Sequence, residues 1–492
     1  MRTPVRALAA ALLLAGPTAL AFFSGGFFER PRVVAGIAVW TIAAVAIVVS
    51  PQPLPRSAPG RIAVAGLTLL TAWTALSYEW APLGERAQGD IQRLSLYLGF
   101  FLACAAVLRG PAARRFTEPA LALGALVVTC FGLSGRLLPS FVELTRSRSA
   151  EGRLEQPLTY WNGMGCLSAI GLVLCARIAG DARRPPLVRA AAAFGGVPLG
   201  LGTYLSFSRG ALFALAAGIV ALIVLAPERR LQFRAAALLV GTAGVASLVA
   251  SFLPSVESLP AGHTGDAGEG AAMLAALVLL GAAAAFAAAR IPIVAQDRPP
   301  RRSVRLGRPA WVALALCLLV GGIAGAAALE RSPEARPGGA PTSPTRFGSA
   351  DTTRYSYWEV ALDAFRSDPV TGTGAGGFAV EWRRQPARNE RAVDAHSLYI
   401  ETLGELGLVG VALLALFFGG VATAAARLHG RDPAAAAGLA AVLVTWAVHT
   451  GLDWDWELPA LTGVALLVAA AAVAWDDERA SAPATGAVAD IC

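Results

Sequence analysis

Apolar runs recur along nearly the whole chain, at about residues 7–23, 33–50, 62–78, 94–108, 118–134, 160–176, 190–206, 211–226, 235–253, 271–289, 310–329, 397–426, 434–451 and 458–475. About 20 apolar residues, rising 1.5 Å each, cross the hydrocarbon core of a bilayer. In that core a backbone satisfies its own N–H and C=O groups only as a helix or a closed barrel, and runs of this length are helical. The chain therefore reads as an all-α polytopic membrane protein with about 12–14 transmembrane helices. Composition agrees, with 55% of residues apolar and 15% charged, against about 25% charged in soluble proteins. Residues Met1 to Arg6 followed by the apolar run to Phe23 have the outline of a signal peptide. No convincing cleavage site comes after it and many spans do, so the first run is expected to stay as a transmembrane helix.

The scarce charges are informative by position. There are 41 basic and 33 acidic residues, a balance of +8, and every basic residue is Arg. No basic stripe is interleaved with exposed aromatics, so no nucleic-acid partner is expected. Joining segments alternate in character. One set carries Arg2/Arg6, Arg56/Arg61, Arg109/Arg114/Arg115, Arg177/Arg183/Arg184/Arg189, Arg229/Arg230/Arg234, Arg290 to Arg308 and Arg427/Arg431, whereas the short members of the other set are acidic or poor in Arg. The excess of Arg on cytoplasmic loops puts both termini inside and the second set outside a cytoplasmic (inner) membrane. On this reading residues 1–159 hold the N-terminal spans, 160–329 the central spans, 330–396 a large extracytoplasmic loop, 397–475 the C-terminal spans and 476–492 a short, disordered cytoplasmic tail.

The large loop opens with a Pro/Gly/Ser/Thr-rich tether, Ser332 to Pro344. Next comes an amphipathic stretch, Arg354 to Phe365, with Trp358, Ala361, Leu362 and Phe365 on one helical face, and Asp368-Pro369 ends it. A second external segment, residues 136–159, carries Arg136, Arg146, Arg148 and Arg153 against the charge rule; a solvated loop is the common reason, an anionic partner the sharper one. The six cysteines, Cys104, Cys130, Cys166, Cys175, Cys317 and Cys492, show no C-x-x-C pair and no metal-type His/Cys spacing. Neither a disulfide framework nor a zinc site is expected.

Gly372-Thr-Gly374-Ala-Gly376-Gly377 satisfies G-x-G-x-x-G, but it comes after an amphipathic helix rather than a buried strand, so a Gly-rich bend with anion-facing amides is expected in place of a dinucleotide site. Of four histidines, His263, His429 and His449 have bland readings as loop, turn and span-end residues. His396 stands where the large loop re-enters the membrane, with Glu401 and Glu405 on the next helix; ionisable groups at that depth mark function, and the competing reading is a snorkelling interfacial His with capping acids. Ser206-Phe207-Ser208-Arg209-Gly210 is a very short external turn whose Arg is suited to bidentate phosphate recognition, or to snorkelling among lipid headgroups. Asp453 and Asp455, flanked by Trp454 and Trp456, form a D-x-D by spacing; a bound cation is one reading, and an interfacial Trp belt with acidic neighbours is the commoner one.

Four ordered segments resemble the O-antigen ligase and Wzy-type polymerase family of lipid-linked glycan-transfer proteins: Leu158 to Gly163, Ser206 to Gly210, Trp358 to Phe378 and His396 to Gly410. His449 to Asp455 is similar as well. The resemblance covers roughly Tyr160 to Glu457; Ser397 stands where the family often has Asn. It implies a GT-C-like helical bundle with short helices in its external loop, and a metal-independent glycosyltransferase without cofactor. The donor would be a glycan on a polyprenyl (undecaprenyl) diphosphate and the acceptor a glycan or surface anchor. His396 would be the catalytic base and Arg209 the catalytic diphosphate-binding cation. Asn162, Ser208, Arg354, Arg383, Arg384 and Glu405 would bind substrate. A polymerase extending the chain on its own carrier, or a flippase or transporter of the lipid-linked oligosaccharide, are the alternatives. A transporter predicts repeated halves and ionisable groups at the bilayer midplane, and the sequence shows neither.

Overall fold

A computed structural model describes residues 3–50, 52–290, 353–385 and 392–480. In chain order the helices are α1 (Thr3–Ala21), α2 (Glu29–Val49), α3 (Ala58–Leu76), α4 (Gly84–Val107), α5 (Gly110–Leu137), α6 (Trp161–Ala179), α7 (Pro186–Leu205), α8 (Arg209–Leu225), α9 (Arg229–Ala250), the short α10 (Pro254–Glu257), α11 (Ala267–Ala289), α12 (Thr353–Ser367), α13 (Phe378–Arg383), α14 (Leu398–His429), α15 (Pro433–Thr450) and α16 (Pro459–Ala480). Every apolar run expected from the sequence that falls within the described residues is a helix. Eleven of the helices are long and apolar enough to cross a membrane, and α8 is a shorter apolar helix of 17 residues. The span expected at 310–329 and the tether at Ser332 to Pro344 lie outside the described residues.

Two helices form the centre of the bundle. α6 and α16 are buried over their full candidate spans, whereas α1 and α2 turn most of their surface outward. Small residues let neighbours approach α6, as packing in a membrane requires. A Cβ on Gly165 would lie 2.4 Å from the Ser206 hydroxyl, and one on Gly171 2.8 Å from Ala125. The turn between α7 and α8 is thereby seated directly on the central helix.

Segments with the expected cytoplasmic signature are tied together at one end. Arg109 contacts Asp477 at 3.0 Å, Arg114 contacts Glu478 at 2.9 Å, and Arg431 contacts Asp476 at 3.0 Å. Asp477 also accepts the backbone N–H groups of Arg56 and Ser57. The region after Trp475 was expected to be a disordered tail, but α16 continues to Ala480 because Asp476 and Asp477 are needed inside this network. Residues 481–492 lie outside the described residues.

At the opposite end, the Arg residues that break the charge rule staple loops. Buried Arg136 donates to the carbonyls of Val256, Glu257 and Gly152, and Arg153 donates to Ala150 O and lies 3.9 Å from the Trp161 ring centroid. Neither of these two needs solvent or an anionic ligand to account for it. α12 lies across this end against α14. Its buried stripe is Tyr357, Trp358, Val360, Ala361 and Ala364, so the face is rotated from the expected one and Leu362 and Phe365 fall at its edge. Close approach decides the rotation, since a Cβ on Gly404 would lie 2.8 Å from Ala361 O.

Candidate functional site

Five segments meet at this second end: the start of α6, the α7–α8 turn, α12, the link from α13 into α14, and the loop between α15 and α16. Their centre is Asp453, whose side chain is 1% exposed. It accepts hydrogen bonds from the Tyr160 hydroxyl, from Asn162 Nδ2 at 2.7 Å and from Arg354 Nη2 at 2.6 Å. Burial alone would raise the Asp453 carboxyl, but Arg354, two nearby histidines and the Tyr160 hydroxyl hold it below the ordinary carboxylate value. The Tyr160 phenol moves upward, through burial and then through the charge on Asp453, so it stays a neutral donor. Asp453 is thus a carboxylate kept ionised by three donors from two parts of the chain, the start of α6 and α12.

His396 sits beside this hub. Its backbone is in the left-handed region, φ 53°, where the chain turns from the loop into α14. Ser397 caps the helix, its hydroxyl accepting from Ile400 N, and Glu401 accepts from Ala395 N at 2.7 Å. The imidazole stacks on Tyr357, with centroids 5.0 Å apart and planes 26° apart, and Trp454 lies 6.0 Å away. Nδ1 is 3.1 Å from Asp394 O. A carbonyl only accepts, so in the neutral imidazole Nδ1 carries the proton and Nε2 the lone pair. This is the tautomer a general base needs. Burial raises the neighbouring Asp394 carboxyl, with His396 and Arg93 opposing.

Arg209 opens α8, and Ser208 caps that helix by accepting from Ala211 N at 3.2 Å. The turn packs on the α15 end, since a Cβ on Gly210 would lie 3.4 Å from Cδ2 and Nε2 of His449. His449 is fully buried and hydrogen-bonded through Nδ1 to Asp455. The Asp-Trp-Asp segment is therefore no lipid-facing belt: Asp453 and Asp455 point inward, and Trp454 packs between Tyr160 and Phe27. Buried hydrogen-bond donors outcompete the interface for these carboxylates.

The remaining expected site residues separate. Glu405 is buried and accepts from Gly376 N at 2.9 Å and Phe378 N at 3.0 Å. The amides at the Gly-rich bend are taken by the chain's own Glu405 carboxyl. Gly372, Gly374 and Gly376 all have positive φ, and the bend is wedged between the α3–α4 turn and a kink in α14 at Gly407. Arg383 and Arg384 project from the exposed face of α13, where Arg384 pairs with Glu381 at 2.7 Å, while Trp382 on the other face packs on Tyr357. Asn162, Arg354 and His396 are brought together, and Ser208 and Arg209 adjoin them through His449. Sequence reasoning missed the hub itself, Asp453 with Tyr160, and the aromatic wall of Tyr357 and Trp454. The usable signal was a pair of carboxylates enclosed by tryptophans between two apolar helices. Asp394, Glu401 and Glu457 also lie close enough to share an ion, but Glu457 pairs with Arg93 and Glu401 with backbone.

Residues 194–415 match the family model described as O-antigen ligase. Over that stretch the chain is similar to the O-antigen ligase family. The matched segment runs from within α7 into α14 and contains Arg209, Arg354 and His396, the residues expected to act on the donor and acceptor. Tyr160, Asn162, Asp453 and Asp455 lie outside it, so the fold brings matched and unmatched chain together at this cluster. The family indicates glycan transfer of the ligase or polymerase type. No curated protein matches the chain.

Proposed function

We propose that this protein transfers a glycan from a polyprenyl-diphosphate carrier to a glycan or surface-anchor acceptor at the outer face of the cytoplasmic membrane. The observation that carries the reading is the fixed tautomer of His396, a base nitrogen held beside the Arg354–Asp453 hub at one end of the bundle. In this mechanism Nε2 of His396 takes the proton of an acceptor hydroxyl as that oxygen attacks the anomeric carbon. The bond from that carbon to the diphosphate oxygen breaks, and the carrier diphosphate leaves with the electron pair. Arg209 faces the growing charge with a guanidinium that stays cationic at any working pH. Ser208 holds the helix start from which Arg209 projects. Arg354, oriented by Asp453, is the second cation for the donor, Asn162 lines the same hub, and the exposed Arg383 and Arg384 belong to the approach. The Arg-rich opposite end faces the cytoplasm.

The test is transfer by purified protein supplied with a lipid-linked oligosaccharide and candidate acceptors. The expected result is released carrier diphosphate and a transferred glycan, lost in Arg209→Ala and His396→Ala variants that remain folded. Growth of the glycan on its own carrier would instead make the protein a polymerase. Movement of the intact lipid-linked substrate across a vesicle without released diphosphate would make it a transporter and sink the enzymatic reading.

A further inference from the structure

Near Asp453, three side chains of metal-ligating type converge. They are Cys166 on α6, His449 in the last turn of α15 and Asp455 in the loop after it. All three are 0% exposed. One ligand atom from each lies within 4.8 Å of the other two. Two polar atoms of the cluster, Nε2 of His449 and Oδ1 of Asp455, are buried without a hydrogen-bond partner among the described residues. A carboxylate oxygen buried with a free lone pair is a costly thing to keep unless something fills it.

We propose that Cys166, His449 and Asp455 form a binding site for a zinc ion. The donor set selects the class of ion: thiolate, imidazole and carboxylate together suit Zn²⁺, whereas Mg²⁺ and Ca²⁺ take oxygen ligands. Charge also balances, since one thiolate and one carboxylate cancel the two positive charges and the imidazole is neutral. A low-dielectric interior accepts such a cluster more readily than an isolated carboxylate. Loading releases the thiol proton and, where Nδ1 is the ligating nitrogen, the proton it shares with Asp455. The ion ties α6 to α15 and to the loop that carries Asp453. It also stiffens the surface on which Gly210 rests, and with it the turn bearing Arg209. Its role is to hold the site in shape, without contact to substrate, and it does not depend on the glycan-transfer reading. No local spacing announces it, because Cys166 comes from a helix far away in sequence.

The experiment uses the full-length chain, purified without chelators from cells grown with zinc. The expected content is about one zinc per chain, falling to background in Cys166→Ser but not in Cys104→Ser, which alters a buried thiol elsewhere. Replacing zinc by Co²⁺ should give a thiolate-to-cobalt charge-transfer band in the near ultraviolet, absent in Cys166→Ser. A wild-type chain with neither zinc nor the cobalt band overturns the proposal. So does zinc that persists unchanged in Cys166→Ser, which would be adventitious binding. If that variant fails to fold, the wild-type zinc content and cobalt spectrum decide alone.

Discussion

The Arg354–Asp453 contact attaches the loop helix α12 to the bundle, and its strength can be measured. The Nη2–Oδ2 distance is 2.6 Å, Asp453 is 1% exposed and Arg354 26%. A hydrogen bond between charged groups contributes about 1.5–3 kcal/mol. Asp453→Ala also strips Tyr160 and Asn162 of their acceptor, and breaking a buried charge pair from one side costs about 3–5 kcal/mol. Arg354→Ala should cost less, about 1.5–3 kcal/mol, because Asp453 keeps its two neutral donors. Together with the double variant these complete a cycle with an expected coupling of about 1.5–3 kcal/mol. The exposed pair Arg366–Asp363, with 69% and 54% of its side chains open, serves as a control at about 0–1 kcal/mol. Equilibrium unfolding in mixed micelles, monitored by circular dichroism, gives all the values. A coupling near that of the control would refute the idea that a buried carboxylate anchors α12, and with it the assignment of Arg354 to the site.

Five further outcomes are expected. His396→Ala should lower the turnover of transfer by about 10²–10⁴-fold, the usual weight of a general base, and Arg209→Lys should not restore an Arg209→Ala variant if bidentate contact matters; both are read from initial rates with a lipid-linked donor. Gly372→Ala should destabilise the bend, since φ is +67° and the new Cβ would lie 2.3 Å from Glu405 C and O, whereas Gly419→Ala meets nothing within 4 Å and should be neutral or stabilising by up to about 1 kcal/mol; thermal unfolding separates them. The Asp453 carboxyl is lowered on folding from an ordinary value of 3.8. Its contribution to stability is therefore present above 3.8 and lost only as pH falls through the lower folded value, so the stability difference between wild type and Asp453→Asn should not shrink from pH 7 to 5, and a shrinking difference would contradict the direction of that shift. Cysteines placed at Phe141, 87% exposed at the site end, and at Arg183 in the Arg-rich set should label from opposite sides of the membrane, Phe141 from outside.

The helices and their alternation were legible in the sequence. A long apolar run in hydrocarbon has one way to satisfy its backbone, and Arg sorts the loops by side, so local composition alone determined thirteen of the runs now seen as helices and the grouping of their connecting segments. His396, Ser208 and Arg209 stood out as candidates too, because a polar residue is conspicuous where a short turn interrupts apolar chain. Which carboxylate does what was decided by tertiary structure. Glu405 and Asp453 are both acids at the end of an apolar helix, and nothing local distinguishes them. Packing turns Glu405 onto the amides of Gly376 and Phe378, and turns Asp453 onto Tyr160, Asn162 and Arg354, the last of these 99 residues away in the chain. Likewise Asp455 carries the same flanking tryptophans whether it faces headgroups or the interior. The burial of α6 and α16 at the centre sends it inward to His449 and Cys166. A buried charge takes its meaning from its partners, and those partners are chosen by helices meeting across the bundle.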